Sequence, residues 1–307
     1  MKRILAIILM ISCVMLSSCT LPSLGRNSQQ DPNMAKLNEY RTGTDGVKIK
    51  FLDKLPPDQV GQNDILKAVF EVHNAGATDI EYGKIVLLTT DANVKVTPSV
   101  NEYRLRGKHM YFVEGEKTTE EFTVSVSGIG DKKTTLIGYT CYPYQTKAVD
   151  SICIDPTIGK VTVADKACEM KDMSFSGGQG APVAVSNVKI LPILQGNDFK
   201  LRLNITIENK GGGKVVSKNI ASSECALTTK ESEDVDSNVN VDVELSDSRP
   251  SCKSYLSGLN DPKSNKGYII CTTGSIKQKY ASKASIVVTL DYGYVSKELT
   301  KSISIYQ

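Results

Sequence analysis

Residues 69–76 (VFEVHNAG) and residues 204–211 (NITIENKG) decide how this chain is interpreted. Both are alternating stretches that end in Asn-x-Gly, and Asn and Gly allow the backbone geometry of the turn that ends a strand. In the second stretch Leu203, Ile205 and Ile207 alternate with polar residues, which is typical of a strand with one buried face. The pattern occurs once in each half of the chain and predicts two copies of one fold.

A second pair of similar stretches lies further along each half. Tyr142-Pro143-Tyr144 begins a stretch that runs to Ile154, and Tyr292-Gly293-Tyr294 begins one that runs to Ser304. Each is interpreted as an aromatic-bearing strand, a short turn and a second strand, so each half is predicted to close with a hairpin. Convergent hairpin composition is the alternative explanation.

From Val47 onward the chain consists of short alternating segments separated by Gly, Pro, Asn and Asp, without long helical periodicity. This pattern indicates an all-β fold. At 307 residues the chain is too long for one ordinary sandwich. We therefore predict two tandem immunoglobulin-like β-sandwich domains, residues 46–175 and 183–307, joined by a Ser/Gly-rich linker at 176–182. Strands are also predicted at Met110–Val113 and, as separate elements, at Thr135–Tyr144 and Ala148–Ile154.

The Asn-x-Gly strand ends and the closing hairpins resemble the bacterial and archaeal cell-adhesion-related domains, a branch of the immunoglobulin-like sandwiches. The linker, Ser176-Gly177-Gly178-Gln179-Gly180-Ala181-Pro182, and the cysteine placement are similar to those of two-domain, cysteine-bearing secreted proteins of small archaea. The resemblance covers roughly residues 40–307 and implies fold and location only. The antibody-type signature is not met, because the predicted strand at 66–73 has no Cys and the chain has no Trp.

The N-terminus carries an export pattern. Met1-Lys2-Arg3 is followed by an almost wholly apolar stretch, which is too short to span a membrane and has the length of a signal-peptide core. Leu16-Ser17-Ser18-Cys19 resembles a lipobox, in which the Cys is lipidated and becomes the mature N-terminus. We predict a signal peptide at 1–18, a lipidated Cys19 with a flexible tether at 19–45, and anchoring to the outer face of the cell membrane. A non-lipid signal peptide and an uncleaved anchor are the alternatives.

The six cysteines that follow Cys19 form an even set downstream of an export signal, which predicts disulfides in an oxidising compartment. Cys252 and Cys271 lie within one domain and are paired first. Cys153 ends a closing strand, and Cys168 follows shortly after, so these two are paired next; Cys141 with Cys153 is a competing choice. Cys141 and Cys225 are then left as a pair across the two halves.

Motifs for catalysis, metal binding and cofactor binding are absent from the sequence. No G-x-S-x-G, H-E-x-x-H or phosphate-binding Gly-rich loop occurs. Two isolated histidines, His73 and His109, do not form a zinc pattern. The acidic run 234–242 lacks the Gly and Glu of a calcium loop, since Val239 and Leu245 stand there. With a formal net charge of only +3, nucleic acid is not expected as a partner. We expect no enzyme, no metal and no cofactor.

Two candidate surface features remain. Asn204-Ile205-Thr206 is an N-glycosylation sequon, and the alternation of residues 201–207 places Asn204 on the outer face. Tyr142, Tyr144, Tyr292 and Tyr294 recur with a spacing of two residues and could form a contact ledge for a partner. Ordinary sheet packing is the alternative explanation for these four tyrosines.

Together these features predict a non-enzymatic, lipid-anchored cell-surface protein that acts as an adhesion, structural or binding module. Its expected partners are the membrane, through the N-terminal lipid, and envelope proteins or surface glycans. An accessory subunit of a membrane or envelope complex, for transport or surface-layer assembly, is the first alternative. An enzyme of unknown type is the second.

Overall fold

Strands, many with one buried and one exposed face, build most of the described chain. The computed structural model describes residues 40–128, 132–158, 166–196, 198–225, 239–246 and 248–307. The strands are β1 Val47–Phe51, β2 Gln59–Gly61, β3 Ile65–Asn74, β4 Ile80–Thr89, β5 Val94–Thr97, β6 Val100–Leu105, β7 Lys117–Val126, β8 Lys132–Ile154, β9 Met173–Ser174, β10 Val183–Gln195, β11 Asp198–Asn209, β12 Lys214–Val216, β13 Asn240–Leu245, β14 Ser251–Tyr255, β15 Lys266–Thr272, β16 Ser282–Val295 and β17 Leu299–Tyr306. The predicted all-β class is confirmed.

Within the described ranges, the helical elements are a π-helical turn at Ile220–Glu224 and a 3₁₀ turn at Ser257–Asn260. Among the described residues no helix has the length and apolar character needed to cross a bilayer. The signal peptide and most of the tether, including Cys19, lie outside the described residues.

The strands form three sheets. The first has the order β1-β3-β7-β5, and the third has the order β14-β15-β11-β10-β9. The second sheet, here called the central sheet, has the order β12-β16-β8-β17-β2, with β13 on β16, β4 on β8 and β6 on β4. The first and third sheets are here called the outer sheets. The two Asn-x-Gly stretches fall on equivalent strands, because β3 and β11 are both inner strands of an outer sheet.

The central sheet contains strands of both halves. The last fourteen residues of β8, from Cys141 to Ile154, pair antiparallel with β16, from Val295 back to Ser282. The first part of β8 pairs with β17, which lies on the same side of β8 as β16. On the opposite side, β8 pairs with β4. Each half of the chain therefore contributes its last strand segment to the other half.

This exchange corrects the two predicted closing hairpins. Residues 145–147 form no turn, since Gln145, Thr146 and Lys147 continue β8 opposite β16. After Val295 the chain does not reverse either, because β17 runs on along β8. Thr146 is fully buried between Tyr144 and Ala148. Its polarity interrupts the apolar pattern of the sequence but not the strand.

Two further expectations differ from the structure. Met110–Val113 is an exposed turn rather than a strand, because His109 and Phe112 exchange backbone hydrogen bonds and leave two residues between them. The predicted linker 176–182 is packed rather than free: Gln179 and Ala181 are buried, and Gly43 pairs with Gly178. The end of the predicted tether, from Gly43 to Asp45, is part of the fold, because Gly43 exchanges backbone hydrogen bonds with Gly177 and Gly180.

The core runs through both halves. The larger of two clusters of buried apolar side chains includes Phe70 and Phe122 from the first sheet, Leu203 and Ile269 from the third, and Leu136 from the central sheet. All described residues belong to one compact unit. The division into two independent domains stays a prediction, and the strand exchange gives the physical reason for one continuous core.

Candidate functional site

The predicted tyrosine ledge lies where the exchanged strands cross. Tyr142 is directly opposite Tyr294, and Tyr144 is opposite Tyr292, with ring centroids 5.8 and 6.0 Å apart. All four side chains are at most 2% exposed. The structure brings the four tyrosines of the two halves together, which the sequence did not predict. It also buries them, so they form no exposed contact ledge, and sheet packing, the alternative explanation, applies. We call this group the tyrosine quartet.

Two members of the quartet have equivalent roles in the two halves. The hydroxyl of Tyr142 accepts a hydrogen bond from the backbone N–H of Val47, at 3.1 Å. The hydroxyl of Tyr292 accepts one from the backbone N–H of Val183, at 3.3 Å. Val47 and Val183 are the first residues of β1 and β10, so each tyrosine fixes the start of an outer-sheet strand.

The other two members contact the Asn-x-Gly turns. Tyr144 donates its hydroxyl hydrogen to the carbonyl of Gly180 at 2.6 Å, and its ring end occupies the space that a side chain at Gly76 would need. Tyr294 donates to Asn209 Oδ1 at 3.0 Å and accepts from the N–H of Gly213 at 2.8 Å. The Gly of each Asn-x-Gly stretch thus leaves room for a buried tyrosine of the exchanged strands.

Burial changes the acidity of the quartet. Loss of hydration raises the pKa of all four hydroxyls above the ordinary tyrosine value, because a buried phenolate is poorly solvated. The quartet is therefore held protonated, and its hydroxyls serve as hydrogen-bond donors and acceptors inside the core.

The Asn side chains of the two motifs are also equivalent. Asn74 Nδ2 donates to the carbonyls of Thr78 and Leu105, at 2.9 and 3.2 Å. Asn209 Nδ2 donates to the carbonyls of Gly213 and Leu259, at 2.8 and 3.1 Å. Each buried amide satisfies one carbonyl of its own turn and one from a distant loop, which explains why the motif occurs in both halves.

The six described cysteines form three disulfides, in the predicted pairs. Cys252 and Cys271 face each other on β14 and β15, with Cα atoms 4.0 Å apart. Cys153–Cys168 joins the end of β8 to the segment that follows it. Three disulfides in a chain of this size indicate an extracellular or otherwise oxidising compartment.

The third disulfide, Cys141–Cys225, joins β8 to the end of the π-helical turn. It lies in a small second core with Val86, Tyr139 and Val295. The hydroxyl of Tyr139 donates to the carbonyl of Cys225 at 3.1 Å. This bond fixes the π-helical turn, from the second half of the sequence, against the first part of the central sheet.

The predicted glycosylation site is in the middle of β11, an inner strand of the third sheet. Asn204 is half-buried on β11 between β10 and β15, and its Oδ1 has no hydrogen-bond partner. Glycosylation there stays a prediction. The predicted lipidation site, Cys19, lies outside the described residues.

A small cavity of about 160 Å³ opens on the paired strands β4 and β6 at the edge of the central sheet. The guanidinium of Arg104 lies 5.2 Å from the centre of the Tyr82 ring, and the Tyr82 side chain is 59% exposed. Glu81 and Glu102 also line the cavity, together with Lys84. An exposed aromatic face beside carboxylates and a guanidinium can stack on a ring and bond hydroxyl groups.

A larger open cleft of about 770 Å³ lies at the end of the β10–β11 hairpin. Phe199 and Ile276 form part of its lining, and Lys277, Lys279 and Asp198 add charged groups. Apolar and charged groups meet here, and Ser275 Oγ donates a hydrogen bond to Asp198 Oδ1 at 2.8 Å.

Among the described residues, no three His, Cys, Asp or Glu side chains lie close enough together to hold a metal ion. His73 Nε2 is 2.7 Å from the carbonyl oxygen of Glu114, and His109 Nδ1 accepts from the N–H of Tyr111 at 3.3 Å. Both histidines therefore take part in local loop structure.

No protein-family model and no curated protein matches the sequence. Among solved structures, SSP-19, described as an MSP-domain-like protein of Caenorhabditis elegans, is 10% identical; the match covers 28% of this chain and 67% of that one, with a TM-score of 0.19. WR4, an MSP family member of C. elegans, is 5% identical, with 31% and 70% covered and a TM-score of 0.19. A structure titled as a chaperone-tip adhesin complex of CFA/I fimbriae biogenesis is 10% identical, with 84% and 88% covered and a TM-score of 0.20.

Proposed function

We propose that this chain is a non-enzymatic envelope protein, exported and anchored to the outer face of the membrane by a lipid on Cys19, which acts as a binding or structural module. The observation that carries the proposal is that the buried polar groups of the core are occupied by hydrogen bonds within the protein. The tyrosine quartet and the two motif asparagines all bond backbone or one another within the core. These groups hold the fold together and are closed to a substrate.

The disulfides support an exported location. Cys141–Cys225 and Cys252–Cys271 bridge elements of the described body, and such bonds persist outside the reducing cytoplasm. Envelope location also agrees with the resemblance of the sequence to archaeal secreted proteins with cell-adhesion-related domains. A body that is cross-linked and has one continuous core suits the presentation of a fixed binding surface.

The cavity on the paired strands β4 and β6 is the surface that we propose for the partner. The Arg104 guanidinium lies over the ring of the exposed Tyr82 side chain, and Glu81 and Glu102 can accept hydrogen bonds from hydroxyl groups. This chemistry suits a surface glycan, whose rings present apolar faces and hydroxyl edges. Substitution of Tyr82 by Ala should abolish retention on envelope polysaccharide, whereas substitution of the similarly exposed Tyr268 should not.

Anchoring is tested with the full chain expressed in a host that processes lipoproteins. We expect the wild-type product to gain the mass of acyl chains and to partition with membranes, because two or more chains give stable attachment. The Cys19→Ser chain should keep its leader or be released. Equal mass and equal membrane partitioning of the two chains would exclude lipidation at Cys19.

A further inference from the structure

Four consecutive apolar residues are exposed in the loop between β6 and β7. Met110, Tyr111, Phe112 and Val113 are 47%, 89%, 38% and 64% exposed. Isolated apolar residues are common on protein surfaces, but a contiguous exposed run marks a contact surface. Residues 109–113 are here called the apolar turn.

The apolar turn is held on a rigid base. His109 and Phe112 exchange two backbone hydrogen bonds, of 3.0 and 2.9 Å, which close a tight hairpin with Met110 and Tyr111 at its tip. Just before it, the N–H of Lys108 donates to the carbonyl of Gly76 at 2.7 Å, and the N–H of Gly107 donates to Asp79 Oδ1 at 2.7 Å. The exposed side chains are therefore presented by a pinned loop.

The apolar turn lies beside the point where the N-terminal part of the chain joins the body. Lys108 Nζ donates to the carbonyl of Thr42 at 3.4 Å, and Gly43 is fixed by hydrogen bonds to Gly177 and Gly180. The 39 residues that precede the described part join it at Tyr40, two residues before this contact. The part of the chain that would carry the anchor therefore joins the body beside the apolar turn.

Charges around the apolar turn have mixed sign. Arg106 and Lys108 share the loop with Glu114 and Glu116, and Lys117 begins β7 directly after it. Attraction to anionic headgroups is therefore weak, and burial of apolar surface has to supply the binding energy. Aromatic side chains with a polar tip favour the membrane–water interface, and Tyr111 at the tip of the turn has this character.

We propose that the apolar turn inserts into the headgroup region of a lipid bilayer and acts as a second membrane contact beside the N-terminal anchor. This proposal rests on the membrane location in the proposed function. Insertion would set the orientation of the body on the membrane, because a lipid on a tether alone leaves the body free to rotate.

The absence of Trp from the sequence allows a direct test. Tyr111→Trp introduces a single indole at the tip of the turn, and Tyr280→Trp introduces one at another exposed tyrosine, 76% accessible, as the matched control. The full chain carrying either substitution is reconstituted in phosphatidylcholine vesicles with and without brominated acyl chains. We expect a blue shift and quenching by brominated lipid for Tyr111→Trp, little changed by high salt, and neither for Tyr280→Trp.

A second pair of variants tests the binding contribution. Met110→Ser with Tyr111→Ser should lower vesicle partitioning of the Cys19→Ser chain by at least about tenfold, given the apolar area removed. Leu194→Ser with Tyr280→Ser, two exposed apolar residues elsewhere, should leave it unchanged. An unquenched indole at position 111, or one that is shielded only when envelope proteins are added, would overturn the proposal. Acylation of Cys19 is read from the mass, so a failure of the anchor is distinguished from a failure of the turn.

Discussion

At the scale of single residues, the features that decide this fold are buried polar groups. The Asn and Gly of each repeated motif were visible in the sequence as strand-ending residues. Their second role was not, because the carbonyls that Asn74 bonds include that of Leu105, far along the chain. The four tyrosines were singled out by their spacing, but their contact with one another and their burial depend on the crossing of two strands that local patterns do not show.

Removal of either motif amide should destabilise the protein by a similar amount. Asn74→Ala and Asn209→Ala each remove two hydrogen bonds to carbonyls, one buried and one partly buried, and we expect a loss of about 2–4 kcal/mol in the free energy of unfolding. Asn101→Ala removes one exposed hydrogen bond to the Glu121 carbonyl and should cost less than about 0.5 kcal/mol. Urea denaturation of the three variants measures this, and equal losses for all three would contradict the assigned role.

Stability should fall steeply at alkaline pH. The folded-state pKa of the quartet hydroxyls is raised by burial above the unfolded value of about 10, so the quartet contributes its full stabilisation below about pH 10. Above that pH the unfolded chain loses protons that the folded chain keeps, and each tyrosine lowers the unfolding free energy by about 1.4 kcal/mol per pH unit. Urea titrations across this range should show a shallower slope for Tyr144→Phe. An unchanged slope would mean that Tyr144 is not held protonated.

At the scale of elements, alternation predicted most long strands because their buried faces repeat every second residue. Short edge strands such as β2, β9 and β14 were missed, since two to five residues carry too little periodicity. The break predicted after Tyr144 was wrong because a buried Thr146 donates to the Val183 carbonyl, at 2.5 Å, and so continues the strand with a polar residue. Which strand pairs with β8 could not be inferred, because pairing is set by contacts distant in sequence.

The packing of β8 against the first sheet should be sensitive to one added methyl group. A Cβ at Gly138 would lie 2.5 Å from Phe70 Cζ, so Gly138→Ala should cost about 1–3 kcal/mol through displacement of that ring. Gly274→Ala has open space around the new methyl group and should be neutral within about 0.5 kcal/mol. Thermal unfolding of both variants measures the difference, and a neutral Gly138→Ala would show that the sheets are not packed there.

At the scale of the whole molecule, the repeat in the sequence and the single core have one explanation. Each half supplies an outer sheet with an Asn-x-Gly strand, and each gives its last strand segment to the other half. The tyrosine quartet lies at this crossing and bonds the first residue of both β1 and β10. We therefore expect the two halves to depend on each other for stability, although the sequence suggested separate domains.

Hydrogen exchange during urea denaturation, followed by mass spectrometry, tests this dependence most directly. Peptides covering β3 report on the first outer sheet, and peptides covering β11 report on the third. Strand exchange predicts that both sets lose protection at the same urea concentration, together with β8 and β17. Loss of protection in one half while the other stays fully protected would contradict the exchange and favour two independent sandwiches.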